Sequence, residues 1–137
     1  MTNKARDFAI KWHGDQMYGD KPYVYHLDQV ADNVSAIGYG SWEPEYTVAY
    51  LHDVHEDTNC SYLDILKEFG TEVTDAIIAL SKTEWEPYDH YIWRVKQNEI
   101  AWTVKIADTK ANLKQSILDN DKNRIVKYAK QLILLEE

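Results

Sequence analysis

Residues 100–117, IAWTVKIADTKANLKQSI, constrain the fold of this chain more than any other stretch. Projected at about 100° per residue, they form a helix with two apolar arcs, Trp102/Ile106/Leu113/Ile117 on one flank and Ile100/Val104/Ala107/Ala111 on the other. Between the arcs runs a narrow stripe of Ala101, Lys105, Asp108, Asn112 and Gln115, while Thr103, Lys110 and Lys114 lie opposite. A helix that is apolar on both flanks is packed on both flanks. Lys110 and Lys114 are then its solvent edge, and the Lys105/Asp108/Asn112 stripe faces inward. Inward charges forfeit their hydration unless they find partners. Two readings follow: a buried Lys105–Asp108 ion pair with Asn112 bonded to a neighbour, or a functional site.

The rest of the chain supplies helices to pack around this one. Helical periodicity predicts segments over 2–12, 26–36, 44–56, 61–69, 72–82, 88–98 and 100–117, with a last helix beyond Asn120. Gly38 and Gly40 should stop the second helix, Pro44 should open the third from its first turn, and Ser61 with Asp64 should cap the fourth, which Gly70 ends. Asn120 is the expected cap of the last helix, with Ile125, Ala129, Leu132 and Ile133 as its buried face. The stretch HGDQMYGDKPYVYH (13–26) reads as a loop, because two glycines and a proline interrupt any period. No segment alternates with period two. The expected fold is therefore all-α, a compact helical bundle forming a single domain over residues 1–137, a length typical of one domain.

Charge and cysteine usage narrow the function. Fifteen basic against 23 acidic side chains leave a formal net charge of −8, which repels nucleic-acid polymers and anionic lipid. A small polyanion remains acceptable only where a metal ion or a local cationic pocket reverses the sign. No window approaches the roughly 20 apolar residues of a membrane span. Cys60 is the sole cysteine, so no internal disulfide forms, and a reducing cytoplasm is the expected compartment. Nothing in the sequence decides for or against homo-oligomers.

The motif YLHDVHEDT (50–58) repeats the inward-polar pattern, with His52, Asp53 and Glu56 within about 100° of arc and Val48, Leu51 and Val54 on the packed side. A lone His-Asp pair in a helix usually belongs to ordinary packing. Combined with Asp108 on a second inward stripe and with His26 at the opening of helix two, it makes a set of two imidazoles and two carboxylates. His26, His52, Asp53 and Asp108 are the expected metal ligands. Such a nitrogen and oxygen set suits Mn²⁺, Fe²⁺, Mg²⁺ or Zn²⁺ and leaves coordination positions open for water and substrate. Glu56 and Asp57 are placed to orient or deprotonate a water there. His13, His55 and His90 read as structural.

These residues resemble those of the HD-domain phosphohydrolases, and among them the hydrolase domain of the RelA/SpoT-type alarmone enzymes and their small stand-alone relatives. GDKPYVYHLDQVA (19–31) resembles the family's G-x-PY-x-x-H-x-x-x-VA, YLHDVHEDT its LLHDVVEDT, and LDILKEFGTEV (63–73) its helix ending in FG-x-x-V. LSKT (80–83) resembles its V-T-K, and VKIADTKANL (104–113) its IKLADR-x-x-N. The resemblance implies a helical bundle, His26, His52, Asp53 and Asp108 as ligands of Mn²⁺, Glu56 and Asp57 as the catalytic acids, and Lys105 and Asn112 as pocket residues. The implied reaction removes the 3′-pyrophosphate from guanosine 3′,5′-bis(diphosphate)-like alarmones by attack of a metal-activated water.

The chain departs from the family in having Met17 and Tyr18 where a basic pair is usual, Thr109 where an Arg or Lys commonly follows the metal-binding Asp, and His55 in place of an aliphatic residue. With that basic pair gone, Lys105 and Lys21 are the expected phosphate contacts and Tyr18 the expected ring to stack on the base. The partner is a small nucleotide. The alternatives are an HD-type hydrolase of another (deoxy)nucleotide and an idle nucleotide-binding module, the latter disfavoured by the retention of Glu56 beside all four ligands.

Overall fold

The computed structural model describes residues 3–36 and 43–137. Its helices are α1 (Asn3–His13), α2 (Tyr23–Ala36), α3 (Glu43–Leu51), α4 (Val54–Asp57), α5 (Tyr62–Phe69), α6 (Thr71–Leu80), α7 (Tyr88–Lys96), α8 (Glu99–Leu118) and α9 (Lys122–Glu136). A hairpin of two-residue strands, β1 (Met17–Tyr18) and β2 (Lys21–Pro22), links α1 to α2. The fold is all-α apart from this hairpin. The expected stop of helix two at Gly38 and Gly40 lies outside the described residues.

The helix packed on both flanks is α8, and it is the axis of the molecule, touching α2, α3, α6, α7 and α9. Ala101, Val104, Ala107 and Ala111 of α8 are buried against Leu27 and Val30 of α2, Val48 and Leu51 of α3, Ile77 of α6, Val95 of α7 and Leu135 of α9 in one continuous core. Small side chains along α8 let its neighbours approach closely, which later matters for the polar stripe between them. Local signals hold at the ends of the elements. Ser61 and Asp64 form a reciprocal capping box at 3.1 Å in each direction, and Gly70, at φ 87°, takes the left-handed turn between α5 and α6 that a Cβ would oppose.

Four expectations need correction. The second helix starts at Tyr23 rather than near residue 26, because Pro22 just ahead of it has a φ compatible with helix entry and no N–H to lose, and Tyr23 N–H bonds to the Gln16 carbonyl at 3.1 Å. The supposed loop contains the hairpin, too short to show an alternating pattern, turned by Gly19 at φ 61°. The helix expected over 44–56 breaks after Leu51 and resumes at Val54. Its break has a local cause: His52 Nδ1–H bonds the Ala49 carbonyl at 2.7 Å, the acceptor that residue 53 would use in an unbroken helix.

The last correction concerns α9. Asp121, not Asn120, caps it, accepting from Arg124 N–H, while Asn120 takes a left-handed conformation at φ 53° that closes α8. Its fully buried positions are Gln131 and Leu135, and Ile133 points outward at 61% exposure. Gln131 is tolerated inside because both ends of its amide are used: Nε2 donates to Thr109 Oγ1 at 2.6 Å and Oε1 accepts from Tyr88 O–H at 2.6 Å. Thr109 in turn donates to the Lys105 carbonyl at 2.7 Å. Replacing Gln131 by Leu removes both of its hydrogen bonds and the donor to the buried Thr109 Oγ1, and a destabilisation of about 1–3 kcal/mol is expected, read as a lowered urea midpoint at unchanged slope. A midpoint equal to that of the original chain would show that the network holds nothing together.

Candidate metal centre

Three segments bring the four expected ligands to one point. His26 sits in the first turns of α2, Asp108 in the middle of α8, and His52 with Asp53 on the break between α3 and α4. One ligand atom from each lies within 4.8 Å of every other. His26 Nε2 is 2.8 Å from Asp108 Oδ1, and His52 Nε2 is 3.0 Å from Asp53 Oδ2 and 3.3 Å from Asp108 Oδ1. His26, His52 and Asp108 are 1%, 4% and 7% exposed, so bulk water cannot satisfy them.

The donor set fits a divalent cation, and His52 shows why. Its Nδ1–H is committed to the Ala49 carbonyl, which fixes the tautomer and leaves a lone pair on Nε2. That nitrogen is buried and makes no hydrogen bond among the described residues, yet it faces two carboxylates. Lone pair and anions repel unless a proton or a metal ion stands between them. A ligating imidazole whose other nitrogen donates to a backbone carbonyl is the usual arrangement at metal sites. His26 is less prepared: its Nε2 is bonded to Asp108, and its Nδ1 is buried without a partner among the described residues.

Electrostatics follow from the same crowding. Burial opposes a charged His52, but Asp53 and Asp108 overcome it and hold its pKa well above the ordinary imidazole range. Burial likewise pushes Asp108 and Asp53 upward, and His52 first among their partners draws both below the ordinary carboxylate range. Lys105, 3.9 Å from Asp108, is held above its usual value by that carboxylate and by Tyr91 in spite of burial. Neighbouring hydroxyls and amides set orientation: Tyr23 O–H donates to Asp53 Oδ2, Asn112 Nδ2 donates to Asp108, and Tyr18 O–H donates to Asn112 Oδ1 at 2.7 Å.

His26, Asp53 and Asp108 open into a cavity of about 340 Å³ that is also lined by Tyr18, Lys105, Asn112, Arg124, Lys127, Tyr128 and Gln131. Lys105 and Asn112 are thus where the sequence put them. Lys21 is not: its ammonium lies 5.6 Å over the Tyr25 ring and borders an adjoining cavity of about 490 Å³. Tyr18 and Arg124 border both cavities. One face of the Tyr18 ring stacks on His26, centroids 4.5 Å apart. Glu56 and Asp57 face a third depression, shared with Trp12, His13 and Gln16. Burial first, then the Asp53 charge, raises the Glu56 pKa.

Sequence reasoning missed the cations of α9. Arg124 and Lys127 flank the Tyr128 ring at 5.9 and 5.1 Å, and with Gln131 they make an i, i+3, i+4, i+7 stripe of the same inward-polar kind as that of α8. The signal was present in the projection of α9, masked by the more apolar Ile125/Ala129/Leu132/Ile133 set.

Comparisons with known proteins agree with this picture at the level of fold and resemblance. No family model matches the chain. A protein of Mycoplasma pneumoniae named "Probable guanosine-3′,5′-bis(diphosphate) 3′-pyrophosphohydrolase" is 29% identical over 83 residues, 60% of this chain. A guanosine-3′,5′-bis(diphosphate) 3′-pyrophosphohydrolase of Aquifex aeolicus is 31% identical over 80 residues, 58% of this chain. The match spans only 11% of the length of each relative. A solved structure described as a metazoan ortholog of SpoT that hydrolyses ppGpp superimposes with a TM-score of 0.77 at 23% identity, over 98% of this chain and 84% of that one. The chain resembles the HD-type hydrolases of the RelA/SpoT group, and its fold is theirs.

The His52 environment generates a pH-dependent expectation. With its pKa raised, His52 keeps its Nε2 proton to higher pH than an ordinary imidazole does, and a cation must displace it. Affinity for a divalent ion therefore rises with pH until the proton is gone, by up to about tenfold per unit for one proton released. Mn²⁺ should raise the melting temperature, and raise it more at pH 8 than at pH 6. Equal shifts at both, or none with either Mn²⁺ or excess EDTA, would argue against an ion at this centre.

Proposed function

We propose that this chain is a single HD-type phosphohydrolase domain that uses Mn²⁺ to remove the 3′-pyrophosphate from guanosine 3′,5′-bis(diphosphate)-like alarmones. The observation that carries the reading is the buried Nε2 of His52 facing Asp53 and Asp108, two carboxylates that line a cavity edged by three cations, Lys105, Arg124 and Lys127. The named activity of the two curated relatives supports the substrate.

His26, His52, Asp53 and Asp108 would hold the ion, which when bound supplies Lewis-acid polarisation of a phosphoryl oxygen and lowers the pKa of water. Tyr23 and the Ala49 carbonyl hold Asp53 and His52 in orientation. Glu56, with its raised pKa, accepts a proton from a water whose oxygen bonds to phosphorus; the bond from phosphorus to O3′ breaks, and the proton held by Glu56 passes to O3′, which leaves as the hydroxyl. Asp57 stands beside it as the second acid. Lys105, Arg124 and Lys127 neutralise phosphate oxygens that the net charge of −8 would otherwise repel. Asn112 and Tyr18 shape the wall, and Tyr18 reaches into the adjoining cavity, where Lys21 lies and where a nucleobase stacks. A neutral ring stacks on any base, so the adenosine analogue is accepted as well.

The partner is a small nucleotide in the cytoplasm. Among the described residues no helix is long and apolar enough to cross a membrane.

Chromatography of products from a nucleotide panel, with and without Mn²⁺, tests the substrate: guanosine 5′-diphosphate plus pyrophosphate is expected. Single phosphate or tripolyphosphate from other nucleotides, with the bis(diphosphate) intact, would move the assignment to a different HD hydrolase. Within the mechanism, Asp53→Ala should lose ion and activity together, whereas Glu56→Ala should keep the ion and lose about 10²–10⁴-fold in turnover. A Glu56→Ala protein of undiminished rate would remove Glu56 from proton transfer.

A further inference from the structure

His13 ends α1 and is 7% exposed. Its Nδ1 lies 2.7 Å from Gln16 Oε1, and Gln16 Nε2 donates to Asp57 Oδ2 at 3.0 Å. The direction of this chain is settled by chemistry. A carboxylate offers only acceptors, so Gln16 turns its NH₂ to Asp57 and its oxygen to His13, and the His13 proton therefore sits on Nδ1. Gln16 itself is pinned, its N–H on the His13 carbonyl at 3.0 Å and its carbonyl taken by Tyr23 N–H at 3.1 Å. The other side of the His13 ring system reaches the metal centre: the imidazole packs on Tyr23 with centroids 4.6 Å apart, and Tyr23 holds Asp53. Asp57 needs such a hold. It is an exposed residue at the last position of the four-residue helix α4, where nothing else in its own element fixes its side chain.

We propose that His13 and Gln16 are positioning residues for Asp57, a relay from α1 that fixes one carboxylate oxygen of the acid pair while the same histidine braces the tyrosine holding Asp53. The proposal rests on the hydrolase reading, in which Asp57 is catalytic. It gives a role to His13, which composition and spacing mark only as structural, and it ties the α1 end to the acid pair across 41 residues of sequence.

The test uses the full chain loaded with Mn²⁺. Gln16→Ala should lower kcat on the bis(diphosphate) by about ten- to a hundredfold, the scale of a misplaced catalytic group, with KM and bound ion unchanged. Added to Asp57→Ala, the same substitution should cost nothing further, because it acts only through Asp57. His13→Asn, whose side-chain NH₂ occupies the Nδ1 position, should retain activity that His13→Leu loses. The Gln16 side-chain amide resonances, read without substrate, should move in Asp57→Ala and in His13→Leu. Equal losses in both backgrounds, an effect on KM alone, or amide resonances unmoved by Asp57→Ala would each overturn the relay. A wild-type chain inert toward the nucleotide would instead overturn the hydrolase reading, and the amide resonances would still decide whether the relay exists.

Discussion

The carboxylate of Asp108 is the constraint on which the arrangement turns. It lies nearly buried on the central helix and draws His26 from α2, His52 from the end of α3, and Asn112 and Lys105 from its own helix. Each partner comes from an element that also contributes to the core, so satisfying this one charge fixes how α2, α3 and α8 stand against each other. Small residues make the approach feasible: Ala101, Ala107 and Ala111 on α8 and Ala49 on α3 are all buried. Buried ionic groups are seldom kept for stability, since apolar side chains of like volume would hold the same helices as well or better.

The break at His52–Asp53 is the second device. On a regular helix adjacent side chains diverge by about 100°, which would spread the two ligands. Here Asp53 sits at φ −106°, ψ −2°, in the sparsely populated bridge region common at functional sites, and both side chains reach the same point. The imidazole of His52, an expected ligand, is also the group that takes the Ala49 carbonyl and interrupts the ladder. Ligand tautomer and backbone break therefore have a single cause.

Much of this was legible before any coordinates. The two-flanked stripe of α8 predicted both the bundle and the inward Asp108, and His26, His52, Asp53 and Asp108 lie together from three segments. What escaped reading was local competition. No periodicity shows that His52 will take a carbonyl from its own helix, that a six-residue hairpin fits inside a loop, or that Tyr18 will lie on His26. The face of α9 was misread for a related reason. Counting apolar residues favoured Ile133, whereas the buried position goes to Gln131 because Thr109 and Tyr88 satisfy its amide. Hydropathy ranks a glutamine outward, and only the partners reverse the ranking.

Thr109 and the cations of α9 are two sides of one substitution. Where an Arg or Lys would follow the metal-binding Asp in the family this chain resembles, a buried threonine leaves room for Gln131 to dock, and the bond between them presses α9 onto α8. That docking carries Lys127 and Arg124, one and two turns earlier on the same face, to the cavity edge. Positive charge missing from α8 is thereby supplied by α9, and Tyr128 between the two cations gives them an aromatic surface to lie on. A chain with a strong acidic excess needs this reversal only over a few ångströms, because screening at physiological salt confines the repulsion of distant carboxylates to about 8 Å. Inside the cavity the local field is then set by Lys105, Arg124 and Lys127 rather than by the net charge of the whole.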